Sequence, residues 1–412
     1  MTAPVRRKGN RDALIALLAA DRGIDRRKFL KGMGAGTLLA LGGPALLAAC
    51  SRDGSNGTGN GGDERSLTFA NWPLYIDVVE DDWWWETSSI DDFEAETGIK
   101  MNYLEEVNDN TEWFAKVQAQ LSAGQPTGRD LAALTDWMVD RLIRLGWLEK
   151  LDHSKIPNIA NLETALAEAP FDPDRTYSLP WQSGFTAIGY NPNLTGRELT
   201  SLEDIFDPAF AGRVAMLTES RDTLGLVMLT MGIDPATFTM DELHQAIDKI
   251  KPYVDSGHIR RFTGNDYADD LVNGNLAVCF AWSGDIVQLQ YDNPDLQFLF
   301  PEEGLMIWSD NMVIPKGAQN VDEAHEWMNF VYRPDIAAKI AAWVNFIPPV
   351  KGTKEALLAA AEEMEDEELA DLANNPLIFP SQDILATTHI FRGMTEDEER
   401  EMDEAFQALI GA

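Results

Sequence analysis

Only two of the 412 residues are cysteines, Cys50 and Cys279, and only five are histidines. Two cysteines allow at most one internal disulfide, which excludes a disulfide-built scaffold. The histidines, His153, His244, His258, His325 and His389, stand far apart and none has the spacing of a metal-ligand pair. No H-E-x-x-H or G-x-S-x-G occurs, and Ser183-Gly184 and Ser283-Gly284 lack the surroundings of an activated nucleophile. The eight tyrosines are never adjacent, so a metal centre of clustered Tyr or His is not expected. The acidic side chains are too many and too scattered to single out a catalytic pair. Neither a catalytic residue, a metal nor a cofactor is predicted.

Positive charge is also scarce, with 33 Lys and Arg against 68 Asp and Glu. The residues up to Cys50 hold nine of the basic and three of the acidic side chains. The remainder therefore carries 24 against 65, a formal charge of −41. Such a surface is a poor partner for nucleic acid or anionic lipid and enriches cations near it. Most of these charges read as a solvated acidic face.

A long uninterrupted apolar run is lacking too. The stretch from Gly32 to Ala49 is broken by Gly34, Gly36, Gly42, Gly43 and Pro44, a poor permanent membrane span. It follows Asp25-Arg26-Arg27-Lys28-Phe29-Leu30-Lys31 and ends on Leu47-Ala48-Ala49-Cys50. Paired arginines, a short apolar segment and small residues at the end are marks of an export signal. Leu-Ala-Ala-Cys resembles the lipobox of bacterial lipoproteins, which implies a lipidated Cys50 as the mature N-terminus. Residues 51–66 have no apolar side chain and are rich in Gly, Ser and Asn, a composition that does not order itself. As a flexible tether they span roughly 20–24 Å. With Cys50 lipidated, Cys279 is left alone, and its setting in Leu276-Ala277-Val278-Cys279-Phe280 predicts a packed core thiol.

The body alternates strands and helices. Leu67–Ala70, Lys100–Leu104 and Leu131–Leu134 read as strands. Between and after them come helices capped by Ser88/Ser89 and stopped by Gly98, over Thr111–Leu121, and over Asp136–Leu145 before Gly146. The pattern restarts after Gly189-Tyr190-Asn191-Pro192, with strands at Arg213–Leu217, Leu276–Phe280 and Leu296–Phe300. Helices are predicted at Asp222–Met231, Met240–Tyr253, Gly284–Tyr291 and Val321–Tyr332, with one acidic helix over Lys354–Leu372. This is α/β grammar, a mostly parallel sheet in two lobes with a cleft between them. Trp72, Trp137 and Trp282 follow strands, and Trp308 precedes one at Met312. Four tryptophans at strand ends point to an aromatic-lined cleft rather than to core packing.

Asn71-Trp72-Pro73-Leu74-Tyr75-Ile76 with Phe93-Glu94-Ala95-Glu96-Thr97-Gly98-Ile99 resembles the opening of the polyamine (spermidine/putrescine) substrate-binding proteins of ABC importers. The likeness continues through Asp130-Leu131, Thr135-Asp136-Trp137, Tyr177-Ser178-Leu179-Pro180-Trp181, Trp282 with Gly284, and Trp308-Ser309-Asp310, and covers about 66–392. It implies the type II periplasmic-binding-protein fold: two α/β lobes, a ligand cleft and hinge strands. The implied organisation is a twin-arginine-type lipoprotein signal peptide over 1–49 and a lipidated Cys50 with its tether over 50–66. One lobe is expected from 67–187 and 309–353, the other from 188–308 and 354–412. The resemblance also implies a monomer that binds a small cation and serves ABC permease and ATPase subunits, touching the membrane through its lipid only. Carried over by position, the ligand-contacting aromatics fall on Trp72, Tyr75, Trp137, Trp282 and Trp308, a hydroxyl on Thr135 and an ammonium-binding carboxylate on Asp310.

The chain also departs from the family's pattern. Ser220 and Thr223 stand where one or two acids are expected, and Phe346 replaces a tyrosine. A buried ammonium without a carboxylate costs several kcal/mol. A short diamine is therefore expected to bind at least as well as a long triamine, unless Glu219, Asp222, Asp136 or Asp266 supplies a second anion. Arg221 reads as an ion pair with Asp222 or Glu219, or as a seat for a ligand carboxylate. The alternatives kept open are a smaller or zwitterionic amine, such as a quaternary ammonium or an amino-acid-like compound, and, less favoured, an exported enzyme.

Overall fold

The computed structural model describes residues 65–79, 83–107 and 110–411. The leader over 1–49, Cys50 and the tether as far as residue 64 lie outside the described residues. Among the described residues no helix is long and apolar enough to cross a membrane.

The first lobe is built as the sequence predicts. It runs β1 (Ser66–Asn71), α1 (Ser89–Thr97), β2 (Lys100–Glu105), α2 (Asn110–Ser122), β3 (Leu131–Thr135) and α3 (Asp136–Leu145). Local signals set the helix ends. Ser88 and Asp91 form a reciprocal capping box at the start of α1, and Gly98 and Gly146, both at φ 70°, close α1 and α3 in the left-handed region. β1 lies parallel to both β2 and β3. Asp130 fastens this lobe to a later segment: its carboxylate accepts from the Thr68 amide at 2.9 Å and from the Gln319 and Asn320 amides at 3.1 and 3.0 Å.

A strand that the apolar pattern does not reveal comes next, β4 (Ser178–Tyr190), buried along its whole length. The second lobe then repeats the grammar with β5 (Val214–Leu217), α4 (Ser220–Leu229), α5 (Met240–Asp255), β6 (Ile259–Thr263), α6 (Tyr267–Val272), β7 (Val278–Trp282) and α7 (Ser283–Leu289). β5 is parallel to β6 and β7. After the short β8 (Gln297–Phe298), β9 (Leu305–Val313) returns through the sheet, and β10 (Thr388–His389) pairs beside it. The strand order is β2-β1-β3-β9-β4-β7-β5-β6. β4 and β9, antiparallel to each other from Ser178↔Val313 to Thr186↔Met306, belong to both lobes and form the double crossing between them. A register shift between Pro180 and Gln182 interrupts this ladder.

Helices α8 (Val321–Val331), α9 (Pro334–Val344), α10 (Thr353–Met364), α11 (Glu367–Asn374) and α12 (Glu396–Ile410) complete the chain. The acidic stretch expected as one helix is two. Glu365 takes φ 53° and Asp366 starts a new N-cap by accepting from the Leu369 amide, so a capping acid splits an otherwise helical run. Trp308, expected ahead of a strand, lies inside β9, because the crossing strand carries Ser309, Asp310 and Asn311 rather than an apolar run. Aromatic edges fill the core behind the first lobe: the fully buried Trp327 meets Phe93 edge-on at 5.0 Å and stacks on Phe330 at 6.0 Å. Cys279 is buried and unpaired, and burial pushes its thiol well above the ordinary range.

Candidate ligand-binding site

Asp310 is the centre of the site. It lies mid-way along β9 opposite Thr135 of β3 and Gln182 of β4, only 5 % exposed. The Thr135 hydroxyl donates to its Oδ1 at 2.7 Å, and Thr135 is itself held by Asn110, whose Nδ2 donates to Oγ1 at 2.9 Å. Tyr75 stands close enough to favour the charged carboxylate, yet its hydroxyl makes no full hydrogen bond. Loss of water raises Asp310 to about 7, and the nearby Asp136 and Asp222 push the same way, against Thr135 and Tyr75. No Lys or Arg lies against it among its hydrogen-bond and ion-pair partners. A buried acid of this kind takes up a proton or a cation.

The two-residue period of a strand sets Trp308 on the same face of β9 as Asp310. Its indole Nε1 donates to Thr186 Oγ1 at 3.1 Å, and its ring lies 5.5 Å from that of Phe346. Phe346 in turn meets Tyr75 edge-on at 5.7 Å. Two glycines make room for this packing. A Cβ at Gly184 would stand 2.5 Å from the Trp308 ring, and one at Gly284 would stand 2.7 Å from the Phe346 ring. Phe346 thus packs as part of the aromatic wall without offering the hydroxyl of the tyrosine it replaces.

From the second lobe, Trp282 ends β7, and its Nε1 donates to Asp222 Oδ2 at 2.9 Å. Asp222 is raised to about 6 by burial, opposed by Trp282, Thr186 and the Arg221 charge. Asp222, between Ser220 and Thr223 in the chain, is thus a buried acid beside Trp282. Of the two expected positions, Thr223 turns back to donate to the Leu217 carbonyl at 2.8 Å, and Ser220 opens α4 as a buried first-turn residue. Of the other acids considered, Glu219 caps α4 by accepting from the Arg221 amide, and Asp266 is spent on Arg261 at 2.8 Å. Asp136, raised to about 6 by burial, is tied to the crossing strand through Asn311 Nδ2 at 2.7 Å and the Ser309 amide at 3.2 Å. Sequence reasoning missed Asp285. It is likewise raised to about 6 and accepts from Tyr267 at 2.6 Å, while the Tyr267 hydroxyl also accepts from the Trp282 amide at 3.0 Å.

Trp137, the second residue of α3, is covered by Arg221 of α4, with the guanidinium carbon 3.8 Å from the ring centroid. Arg221 pairs with Glu399 at 3.2 Å and also lies 4.0 Å from Glu219, one of the two acids expected, with Glu399 as a second partner that the sequence does not point to. Trp72 follows β1 directly, half-buried against the core. The indole N–H groups of Trp72 and Trp137 and the Tyr75 hydroxyl are buried without a partner, whereas buried polar groups are normally paired. Contacts link Tyr75, Thr135, Asp310, Trp308 and Phe346 and bring in Trp282 through Thr186 and Asp222. Trp137 is linked to the second lobe through Arg221. Among the described residues no group of three His, Cys, Asp or Glu is placed to hold a metal ion.

Two α/β lobes, a double-strand crossing and a buried acidic site beside it are the features of a solute-binding protein. The chain belongs to the bacterial extracellular solute-binding protein family, whose profile matches residues 88–370. It is similar to the spermidine/putrescine-binding periplasmic protein 1 of Haemophilus influenzae, 30% identical over 304 residues covering 73% of this chain and 79% of that one. The putrescine-binding periplasmic protein PotF of Escherichia coli is 29% identical over 383 residues, 87% and 91% of the two chains. Among solved structures, a Listeria monocytogenes protein assigned to spermidine/putrescine ABC transport aligns at a TM-score of 0.72 and 26% identity, over 84% of this chain and 98% of that one. The fold is the type II periplasmic-binding fold of these neighbours, as the resemblance implied.

Proposed function

We propose that this chain is the lipid-anchored, extracytoplasmic receptor of an ABC-type importer, and that its ligand is a polyamine of the putrescine class. The observation that carries this reading is Asp310, a buried carboxylate with a hydroxyl partner, aromatic walls and no basic residue against it. An alkyl diamine matches such a site: its ammonium takes the carboxylate, its methylenes take the aromatic faces, and a second ammonium has Asp222 to face. The names of the related proteins support the same ligand class. A zwitterionic amine is the weaker reading, because the one guanidinium at the cleft, Arg221, is already committed to Glu399.

The chain acts as a monomer, binding without turnover and passing its ligand to permease and ATPase subunits. Its lobes divide where β4 and β9 cross, near 187/188 and 308/309. Residues 1–49 direct export and Cys50 carries the lipid, with the segment to residue 66 as tether. Cys50→Ala should release the protein from membrane fractions, and a variant that stays tightly membrane-bound would sink the anchor. For the ligand, the test is a thermal-shift and calorimetry panel of putrescine, spermidine, spermine, betaines and amino acids. A true ligand at one hundred times its Kd adds about 2.7 kcal/mol of stability. Stoichiometric binding of a betaine or an amino acid, with none of any polyamine, would replace the polyamine reading.

A further inference from the structure

Helix α12 carries Met402, Phe406 and Leu409 on its buried face, and Glu399 stands on that same face, 3 % exposed. A carboxylate in an apolar stripe needs partners. Glu398 and Glu401, its neighbours, are spent locally: Glu398 on the Thr395 cap and Arg392, Glu401 on His244 at 2.7 Å. Glu399 instead reaches three arginines. Its Oε1 accepts from Arg221 at 3.2 Å, and its Oε2 from Arg141 at 3.1 and 3.2 Å and from Arg144 at 3.2 Å.

These partners come from both sides of the cleft. α12 packs on α5 of the second lobe, with Phe406 edge-on to Phe262 of β6 at 5.8 Å, and Arg221 opens α4 of that lobe. Arg141 and Arg144 lie on α3 of the first lobe, one and two turns after Trp137. We infer that Glu399 is a positioning residue for ligand binding: it clasps the lobes together across the cleft and holds the Arg221 guanidinium against Trp137. Separating the lobes must break the contacts to Arg141 and Arg144, while the contact to Arg221 travels with the second lobe. Without the carboxylate Arg141 repels Arg221 across the cleft, with Asp140 left on Arg144 and Glu219 beside Arg221, and this arrangement of the lobes is opposed. The part of this inference that concerns affinity rests on the solute-receptor reading above.

The test compares full-length wild type with Glu399→Gln, Arg141→Gln and the double variant. Ligand-free Glu399→Gln is expected to show a larger radius of gyration in X-ray scattering. Its Kd for putrescine and for spermidine should rise by the same factor, at least about fivefold, with the change in the dissociation rate. Arg141→Gln, a change at a less buried position, should act in the same direction in the wild-type background and partly relieve the effect once Glu399 is gone. A folded Glu399→Gln protein with unchanged radius and dissociation rate overturns the inference, as do strictly additive effects in the double variant. Should wild type bind no polyamine, the ligand reading falls, and the ligand-free scattering still decides whether Glu399 clasps the lobes.

Discussion

The two ends of the cleft handle charge differently. At the end built on β3 and β9, Asp310 has one neutral donor, Thr135, with the Tyr75 hydroxyl nearby and further acids behind it. At the end built on α4 and β7, Asp222 takes an indole hydrogen bond from Trp282 and feels the charge of Arg221 next to it. The first end leaves an anion for a visitor to neutralise; the second has part of its neutralisation built in. Affinity should therefore be anchored at Asp310, and selectivity for a second ammonium should be set at Asp222.

The largest expected effect tests the anchoring end. Removing one partner of a buried charge pair costs about 2–5 kcal/mol. Asp310→Asn should thus weaken putrescine binding roughly thirtyfold or more, read by calorimetry. An unchanged Kd would show that the charge is held elsewhere. Next comes pH. A cation needs the ionised carboxylate, and Asp310 is raised to about 7, so affinity should fall about tenfold as the pH drops from 8 to 6. Stability without ligand should run the opposite way. Asp136, Asp222, Asp285 and Asp310 all have folded values above the unfolded one, so the folded protein binds more protons. The melting temperature should therefore decline as the pH rises from about 4 through 6–7, and a saturating diamine should flatten that decline. A flat ligand-free profile would refute the burial of these acids.

A smaller effect sharpens the contrast between the ends. Asp222→Asn should cost about fivefold in Kd for putrescine and almost nothing for a monoamine of the same chain length, since roughly 1 kcal/mol is at stake beside a resident guanidinium. Equal losses for both amines would make Asp222 a structural group. Last, Gly284→Ala places a Cβ 2.7 Å from the Phe346 ring and should lower stability by about 1–3 kcal/mol, seen as a reduced melting temperature.

Much of the first lobe was legible because its signals are local: Ser88, Gly98 and Gly146 sit where the cap rules place them. β4 and β9 were not, since Ser183, Ser309, Asp310 and Asn311 interrupt the apolar pattern of strands buried by their neighbours on both sides. At the candidate site, Asp310 was proposed through the family resemblance, and the tryptophans through that resemblance and their places beside strand ends. The second acid was legible only as one of four candidates, because at about 100° of helix per residue the sequence does not say which of Glu219, Ser220, Asp222 and Thr223 turns toward Trp282. Glu399 had no sequence signal beyond a charge among Met402, Phe406 and Leu409, because its three partners are 178 to 258 residues away.

The crossing between the lobes is made of paired strands and not of loose linkers. Eight residue pairs, from Ser178↔Val313 to Thr186↔Met306, lace β4 to β9 through the region that must flex, and the register slips beside Gln182, the residue opposite Asp310. Such a joint behaves as a torsion spring: opening winds or unwinds the ribbon while its ladder stays zipped, with the slipped step as the softest point. Backbone amides on either side of that step should be among the slowest in the molecule to exchange with deuterium, even as the cleft breathes. The Gln182 amide should respond most when a cation settles on Asp310.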